Sequence, residues 1–241
     1  DAPGLRERVF HALHLVGLDG DVYDLGLRGS IDPALQGDLA DAFLEARAAF
    51  LKRLSDPALA ALVETFDPEK YNENATVGEN LLFGTPVGPA FDMDRLAENR
   101  YVLSLLESEG LIDDLLGAGQ RIASTMVELF ADLPPGHPFF EQFSFISSED
   151  LLGIIDDDLR ARILKARKAF AANMPDEYQG AIEFFDVGAF NAASSLLDNI
   201  LFGKLAYGQA RSVERVRAIV GEVIDDLDLR PAVMEVGLNF H

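Results

Sequence analysis

The sequence contains no cysteine, and basic residues are scarce, with 20 Lys and Arg against 41 Asp and Glu. Without cysteine, neither a disulfide framework nor a thiolate metal site can form. The net charge of −21 repels nucleic acid and anionic lipid. We therefore do not expect nucleic acid among the partners of this chain.

Long apolar runs are also missing, since no stretch approaches the roughly 18 apolar residues that cross a bilayer. The N-terminus lacks a basic region followed by an apolar stretch. We expect no direct membrane insertion and a cytoplasmic location, at the inner face of the membrane if a parent protein holds the chain there. The start at Asp1 without methionine and the abrupt end at His241 indicate a fragment of a larger protein.

The most informative feature present is an internal sequence match. Residues 39–50 (LADAFLEARAAF) resemble residues 159–170 (LRARILKARKAF), 120 residues later. In both stretches, apolar residues are spaced by four, three and four positions, which places them on one face of an amphipathic helix. The 241 residues, 49% of them hydrophobic, are sufficient to bury a sizeable core.

The match continues after a one-residue shift and is strongest between residues 75–84 (ATVGENLLFG) and residues 194–203 (SSLLDNILFG). Each stretch has a hydroxyl residue, an acid–Asn pair and a terminal Phe-Gly. A hydroxyl residue followed by an acid three positions later predicts a capping box at the start of a short helix. We expect Gly84 and Gly203 to end these helices.

The repeat determines the predicted architecture. We expect a mainly α fold with two related repeat units and at most short β segments, around residues 62–66 and 181–185. Further helices are predicted at about 94–109 and 212–227, each followed by an apolar segment that ends at Gly119 or Gly237. The predicted organisation is a truncated tail of a repeat unit (1–35), a first full unit (36–132), a Pro- and Phe-rich connection (133–150) and a second unit (151–241).

No catalytic or nucleotide-binding motif is complete. A P-loop requires G-x-x-x-x-G-K-[ST], and Gly203-Lys204-Leu205 contains only the Gly-Lys pair, which we interpret as a helix end and a loop charge. The acids at 156–158 follow an apolar run, as a magnesium-binding Asp would. We interpret them instead as the N-terminal charges of the helix that begins near Leu159. The acids at 225–226 receive the same structural interpretation.

The four histidines do not indicate a metal or catalytic site either. His11 and His14 are three positions apart on a predicted helix, but no third ligand is fixed nearby by spacing. His137 lies in the proline-rich connection and His241 at the end of the chain. We therefore predict no catalytic residue, no metal and no cofactor in this chain.

The hydroxyl, acid, Asn and Phe of the two matched stretches are the most distinctive residues. A structural interpretation makes them parts of a capped helix that packs on the rest of the fold. The alternative makes them a surface that also binds a partner. The candidate docking residues are Thr76, Glu79, Asn80, Phe83, Ser195, Asp198, Asn199 and Phe202.

These two stretches resemble the segment that follows the Q-loop in the ATPases of ATP-binding cassette (ABC) exporters, where a hydroxyl residue, an acid–Asn pair and a final Phe-Gly or Tyr-Gly recur. In that family the following helices face the transmembrane partner and lead into the signature motif. The chain differs from the family in having no Walker A, Walker B or LSGGQ-like motif, and no Pro-Gln pair before Ala75 or Ser194. The resemblance therefore implies ATP and magnesium only in a parent chain.

Two functions remain open from the sequence. The resemblance implies a non-catalytic helical accessory or coupling domain of an ABC-type transport ATPase, which relays nucleotide state or docks a membrane or regulatory partner. Its partners would be the transmembrane or other domains of the parent transporter. The repeat and the charge alone favour a stand-alone acidic helical scaffold for protein–protein interaction. A third hypothesis, an enzyme with a carboxylate-lined site, is supported only by the excess of acidic residues.

Overall fold

The structure, a computed structural model, describes residues 2–129, 154–206 and 211–239. The fold is mainly helical with short two-stranded sheets, as the sequence predicted. The helices are α1 (Ala2–Val16), α2 (Asp19–Arg28), α3 (Gly37–Arg53), α4 (Pro57–Ala60), α5 (Val77–Leu82), α6 (Arg100–Ser108), α7 (Ile112–Leu129), α8 (Asp157–Ala172), α9 (Leu196–Leu201), α10 (Ser212–Asp226) and α11 (Arg230–Leu238). The strands are β1 (Val63–Thr65), β2 (Gly84–Pro86), β3 (Ile182–Phe184) and β4 (Gly203–Leu205).

The described residues form two compact units. Unit 1 contains the residues up to 65, residues 185–203 and the residues from 211 onward, and unit 2 contains residues 66–184 and 204–206. These units have different boundaries from the sequence segments 36–132 and 151–241, because each unit combines pieces of both. The predicted connection 133–150 lies outside the described residues.

The core of unit 1 forms where α3 packs against α9 and α10. Phe43, Ala46 and Phe50 lie on the predicted apolar face of α3 and are fully buried. Leu39, the first residue of that face, is only half-buried, whereas its neighbour Ala40 is buried. The apolar face predicted for this helix is therefore confirmed from Phe43 onward, and at its N-terminal end Ala40 is buried in place of Leu39.

A second contact in unit 1 joins α2 to α11 at very close range. A Cβ atom added to Gly26 would lie 1.9 Å from the carbonyl oxygen of Val233, and one added to Gly237 would lie 2.0 Å from that of Val22. Only glycine permits the two backbones to approach this closely. Two glycines on facing helices therefore fix the α2–α11 crossing.

The core of unit 2 forms where α8 packs against α5 and α6. All four residues of the predicted apolar face, Leu159, Ile163, Ala166 and Phe170, are buried. Phe91 stacks edge-on against Phe170 at 5.4 Å between ring centroids. The helix predicted at about 94–109 is wrong in one respect: Asn99 adopts an extended conformation and caps α6 with its side chain, so a 3₁₀ helix (Met93–Glu98) precedes α6.

Two of the short strands, β1 and β3, lie where the sequence predicted β structure, whereas β2 and β4 were not predicted. In unit 2, β2 pairs antiparallel with β3, and Gly84 lies opposite Phe184. In unit 1, Gly203, the first residue of β4, lies against β1. Strands of three residues contribute little stability alone. β2 and β4 begin directly after the C-caps of α5 and α9, the two short helices that carry the acid–Asn pairs.

Candidate functional site

The capping box predicted at the start of α5 is present. The Thr76 hydroxyl accepts a hydrogen bond from the Glu79 backbone N–H at 3.2 Å, and the Glu79 carboxylate accepts one from the Thr76 N–H at 2.7 Å. At α9 the Ser195 hydroxyl accepts from the Asp198 N–H at 3.0 Å and donates to the Asp198 carboxylate at 2.6 Å. The capping box predicted at α9 is therefore incomplete: Asp is one methylene shorter than Glu, and its carboxylate accepts from the Ser195 hydroxyl.

The expectation that Gly84 and Gly203 end these helices is wrong. The left-handed residues are Phe83, with φ of 46°, and Phe202, with φ of 41°. The glycines instead permit strand contacts, since a Cβ added to Gly84 would lie 2.7 Å from the Glu183 carbonyl oxygen and one added to Gly203 would lie 2.4 Å from that of Glu64. A left-handed backbone is strained for phenylalanine. Each of these two residues therefore requires a contact that offsets the strain.

Asn80 closes the loop that precedes α5, residues 67–80, which we call the first Asn loop. Its side-chain Nδ2 donates to the carbonyl oxygens of Asn72 at 2.9 Å, Thr76 at 3.1 Å and Ala75 at 3.3 Å. Its Oδ1 accepts from the Asn72 N–H at 2.8 Å. Asn80 is 1% exposed, so every polar atom of its side chain is used inside the fold.

Asn199 closes the second Asn loop, residues 186–199, in the same way. Its Nδ2 donates to the Asn191 carbonyl at 2.8 Å and the Ser195 carbonyl at 3.0 Å, and its Oδ1 accepts from the Asn191 N–H at 2.8 Å. Asn199 is 2% exposed. The hydrogen-bonding capacity of an amide, with two donors and an acceptor on one planar group, explains why Asn occupies both positions.

A buried arginine from α8 inserts into the first Asn loop. Arg167 donates through Nε to the Asn80 carbonyl at 2.6 Å and through Nη2 to the Asn80 Oδ1 at 2.9 Å. Its Nη1 donates to three further carbonyl oxygens, those of Lys70 at 3.0 Å, Pro68 at 3.1 Å and Asp67 at 3.3 Å. We call this arrangement the Arg167 lock.

Arg47 of α3 forms the corresponding Arg47 lock with the second Asn loop. Its Nε donates to the Asn199 carbonyl at 2.7 Å and its Nη2 to the Asn199 Oδ1 at 3.0 Å. Its Nη1 donates to the carbonyl oxygens of Ala189 at 2.8 Å, Val187 at 2.9 Å and Asp186 at 3.0 Å. Arg47 is 2% exposed and Arg167 is 5% exposed.

The left-handed phenylalanines cover the two guanidinium groups. The Arg167 guanidinium lies 4.5 Å from the centre of the Phe83 ring, and that of Arg47 lies 4.7 Å from the centre of the Phe202 ring. Cation–π contacts of this kind contribute about 0.5–2 kcal/mol each, more when the cation is removed from water. This contact offsets the backbone strain at both phenylalanines.

Burial changes the acid–base properties of the locks. Burial lowers the pKa of Arg167 to about 10, although Tyr71, Asp67 and Glu69 oppose the change. Burial also lowers the pKa of Arg47, against the field of Asp186. Both guanidinium groups remain charged at neutral pH, so each lock holds a buried cation by means of carbonyl dipoles, an amide and an aromatic ring.

The eight candidate docking residues divide into two groups. Asn80, Asn199 and Phe202 are buried, and their side chains form part of the fold. Phe83, Glu79 and Ser195 are partly buried, and Thr76 and Asp198 are exposed. Among these eight residues, the exposed side chains therefore belong to the two helix caps and not to the asparagines.

The sequence interpretation missed the two arginines. A signal was present, since the matched helices both carry Ala-Arg in the middle of the apolar stretch, at 46–47 and 166–167. A charged residue beside a buried position in two matched helices indicates a buried partner. Those partners lie 152 residues from Arg47 and 87 residues from Arg167, beyond the reach of helical periodicity.

The other acidic candidates have structural roles in the described residues. Asp156 is the N-cap of α8 and accepts from the Leu159 N–H at 2.9 Å, as predicted. Asp225 and Asp226 lie at the C-terminal end of α10, where the helix dipole disfavours acids. They are stabilised there by ion pairs with Arg230 at 2.6 Å and Arg53 at 2.5 Å.

The remaining candidates have local partners as well. His14 lies 3.2 Å from the Asp19 carboxylate on an exposed surface. Lys204, of the incomplete Gly-Lys pair, forms an ion pair at 2.5 Å with Glu79 of the capping box. His137 and His241 lie outside the described residues. In the described ranges, no group of three or more His, Asp and Glu side chains could hold a metal ion.

Replacing Glu79 with glutamine is expected to change the pH dependence of unfolding. Burial alone would raise the pKa of Glu79, but hydrogen bonds from Lys204 and the Thr76 backbone outweigh it and lower the pKa below its ordinary value of 4.5. The wild-type carboxylate therefore stabilises the fold above pH 4.5, by about 0.5–1 kcal/mol for such a partly exposed pair, and loses this contribution as the pH falls through the lowered pKa.

The measurement is the urea midpoint of wild type and Glu79→Gln in a pH series that descends from pH 7. The difference between the two midpoints should be largest above pH 4.5 and should narrow as the pH falls through the lowered pKa. Lys204→Met is the matched control, and in that background Glu79→Gln should change the midpoint at pH 7 much less. A difference between wild type and Glu79→Gln that does not depend on pH contradicts the assignment.

Within the parts of the chain that the structure describes, no helix is long and apolar enough to span a membrane. Comparison of the chain with family models, curated proteins and solved structures finds no match in any of the three.

Proposed function

We propose that this chain is a non-catalytic helical coupling domain of an ABC-type transport ATPase, built from two related sequence repeats. Hydrolysis of ATP belongs to the parent chain, and the role of this domain is to relay nucleotide state or to dock a membrane or regulatory partner. The proposal combines the family resemblance of the two acid–Asn stretches with the local structure that both adopt.

One observation carries the proposal: the two stretches that resemble the family segment form the same arginine-locked structure. In each, a hydroxyl residue caps a helix of six residues, the Asn is buried and the Phe covers a guanidinium. A helix of this length is unstable alone and must be held by tertiary contacts. The locks make each stretch a rigid element, which a coupling domain requires in order to transmit a displacement.

The position of the exposed residues supports contact with a partner at the capping ends. Thr76 and Asp198 are exposed and belong to the two caps, whereas the asparagines behind them are buried. A partner that contacts a cap pushes on a helix whose other end is fixed by an arginine. The proposed partners are transmembrane or other domains of the parent transporter.

The test is calorimetric titration of magnesium and ATP into this chain and into the full-length parent, side by side. Binding by the parent alone supports the proposal. Binding by the chain itself would mean that it contains a nucleotide site and would overturn the non-catalytic assignment. Binding by neither removes the ABC assignment.

Coupling is tested separately in the parent with Arg167→Lys. This substitution should reduce the stimulation of ATP hydrolysis by transported substrate and leave nucleotide affinity unchanged, because the lock is outside any nucleotide motif. Lys168→Ala, on the same helix but exposed, is the matched control. Equal stimulation in both variants and in wild type would contradict a relay through the lock.

The alternative function is an acidic helical scaffold that binds proteins directly. The net charge of −21 favours a basic protein partner, with an association rate that falls as salt is added. This function predicts that neither the chain nor its parent binds nucleotide. The calorimetric comparison therefore separates the two.

A further inference from the structure

We infer that each Asn loop is a guanidinium receptor formed by the loop itself, which binds any alkylguanidinium cation of suitable size and is filled in the native protein by Arg167 or Arg47. The site is the loop, and the ligand class is a planar guanidinium on an alkyl stem. This inference does not depend on the proposed function, because it concerns only recognition within each unit.

The acceptors in the first Asn loop match the N–H donors of a guanidinium. Four backbone carbonyls and one side-chain amide oxygen lie within 3.3 Å of three nitrogen atoms of Arg167. None of these acceptors is a carboxylate. The site therefore distinguishes one cation from another by the geometry of the cation's N–H donors. A guanidinium presents five N–H donors in one plane, whereas an ammonium presents three from a single point and cannot reach all five acceptors.

The loop is held in shape by bonds that do not involve the arginine. Asn80 Nδ2 spans the loop to the carbonyls of Asn72 and Thr76, and the Asp67 carboxylate accepts from the Glu69 N–H at 2.9 Å. The Asp67 carbonyl accepts from the Lys70 N–H at 3.1 Å and the Asn72 carboxamide oxygen from the Asn74 N–H at 3.0 Å. The receptor therefore keeps its acceptors in place when the arginine side chain is shortened.

The second Asn loop supplies independent support. It presents the same five acceptors to Arg47 at 2.7–3.0 Å, although Val187 and Ala189 stand where the first loop has Pro68 and Lys70. The side chains of the two loops differ, but backbone carbonyls at corresponding positions bind the cation. The guanidinium is therefore recognised by the path of the loop backbone and by the Asn.

The phenylalanine ring above each site adds to its selectivity for a planar cation. Phe83 and Phe202 lie 4.5 Å and 4.7 Å from the guanidinium carbon, in the position of a lid over a flat cation. A planar cation stacks on such a ring better than a compact ammonium does. An alkylguanidinium that enters the site gains both the hydrogen bonds and the ring contact.

The test is chemical rescue of the full chain carrying Arg167→Ala or Arg47→Ala. Methylguanidinium chloride is added at millimolar concentration, with methylammonium chloride and sodium chloride at the same ionic strength as controls, and the urea unfolding curve is recorded. With the probe at ten times its Kd, the ratio of folded to unfolded variant should rise about elevenfold. Wild type should not respond, because its sites are filled.

An equal response to methylammonium, or an equal response of wild type, would overturn the inference. Hydrogen exchange localises the effect: methylguanidinium should slow exchange at the Asn72 N–H in Arg167→Ala and at the Asn191 N–H in Arg47→Ala. If a variant is unfolded without the probe, its helical circular dichroism should return with methylguanidinium and remain absent with methylammonium. Failure to return in both variants also overturns the inference.

Discussion

Replacing Arg167 with alanine is expected to lower the free energy of unfolding by about 3 kcal/mol or more. The substitution removes a donor from five acceptors of unit 2, of which the Asn80 Oδ1 and the Asp67 carbonyl keep a second donor, and it removes the cation from the Phe83 ring. A buried acceptor without a donor costs about 1–3 kcal/mol, although water entering the cavity recovers part of this. Urea unfolding measured by circular dichroism gives the change.

The location of the effect is as diagnostic as its size. In Arg167→Ala, hydrogen exchange should accelerate at residues 67–83 and stay unchanged at residues 186–202, and Arg47→Ala should give the reverse pattern. Lys168→Ala, an exposed neighbour, should change stability by no more than about 0.5 kcal/mol. Acceleration of exchange in both loops by one substitution would show that the locks are not separate.

Replacing Gly26 with alanine is expected to destabilise unit 1 by about 2 kcal/mol or more, because overpacking of a close contact costs about 1–3 kcal/mol and here the obstacle is backbone. The added methyl would lie 1.9 Å from the Val233 carbonyl oxygen, and α2 and α11 would have to separate. Urea unfolding and hydrogen exchange in residues 19–28 and 230–238 test this.

Gly221 provides the matched control, since it lies inside α10 and a Cβ added there meets nothing within 4 Å. Gly221→Ala should therefore stabilise the protein by about 0.5–1 kcal/mol through helix propensity. The two substitutions are chemically identical and differ only in the space around them. A Gly26→Ala protein as stable as wild type would show that the helices do not cross as closely as described.

Local sequence patterns predicted several elements correctly. The apolar face of α8, the capping box at Thr76 and the short strands near residues 63 and 182 all depend on residues within about four positions of one another. Such interactions are formed by neighbours on one helix turn or strand, so the sequence contains the information needed. The break at Asn99 was missed because a side-chain cap competed there with continued helix.

The errors and omissions at the candidate site have a common origin. Gly84 and Gly203 follow short helices and match the usual position of a helix-ending glycine, yet they are required for contact with strands about 100 and 140 residues away in the chain. Phe83 and Phe202 take the left-handed conformation, and each ring lies over an arginine that is distant in the sequence. These contacts are absent from any local window of sequence.

The sequence by itself determined the Thr76 cap of α5, the apolar face of α8, and which residues form the two acid–Asn stretches. The tertiary structure alone decided that Arg167 binds the first Asn loop and Arg47 the second, although either arginine has the chemistry to bind either loop. Caps and helix faces depend on atoms that the chain connects within one or two turns. The choice of partner for a buried cation depends on which backbone carbonyls the packed helices bring around it.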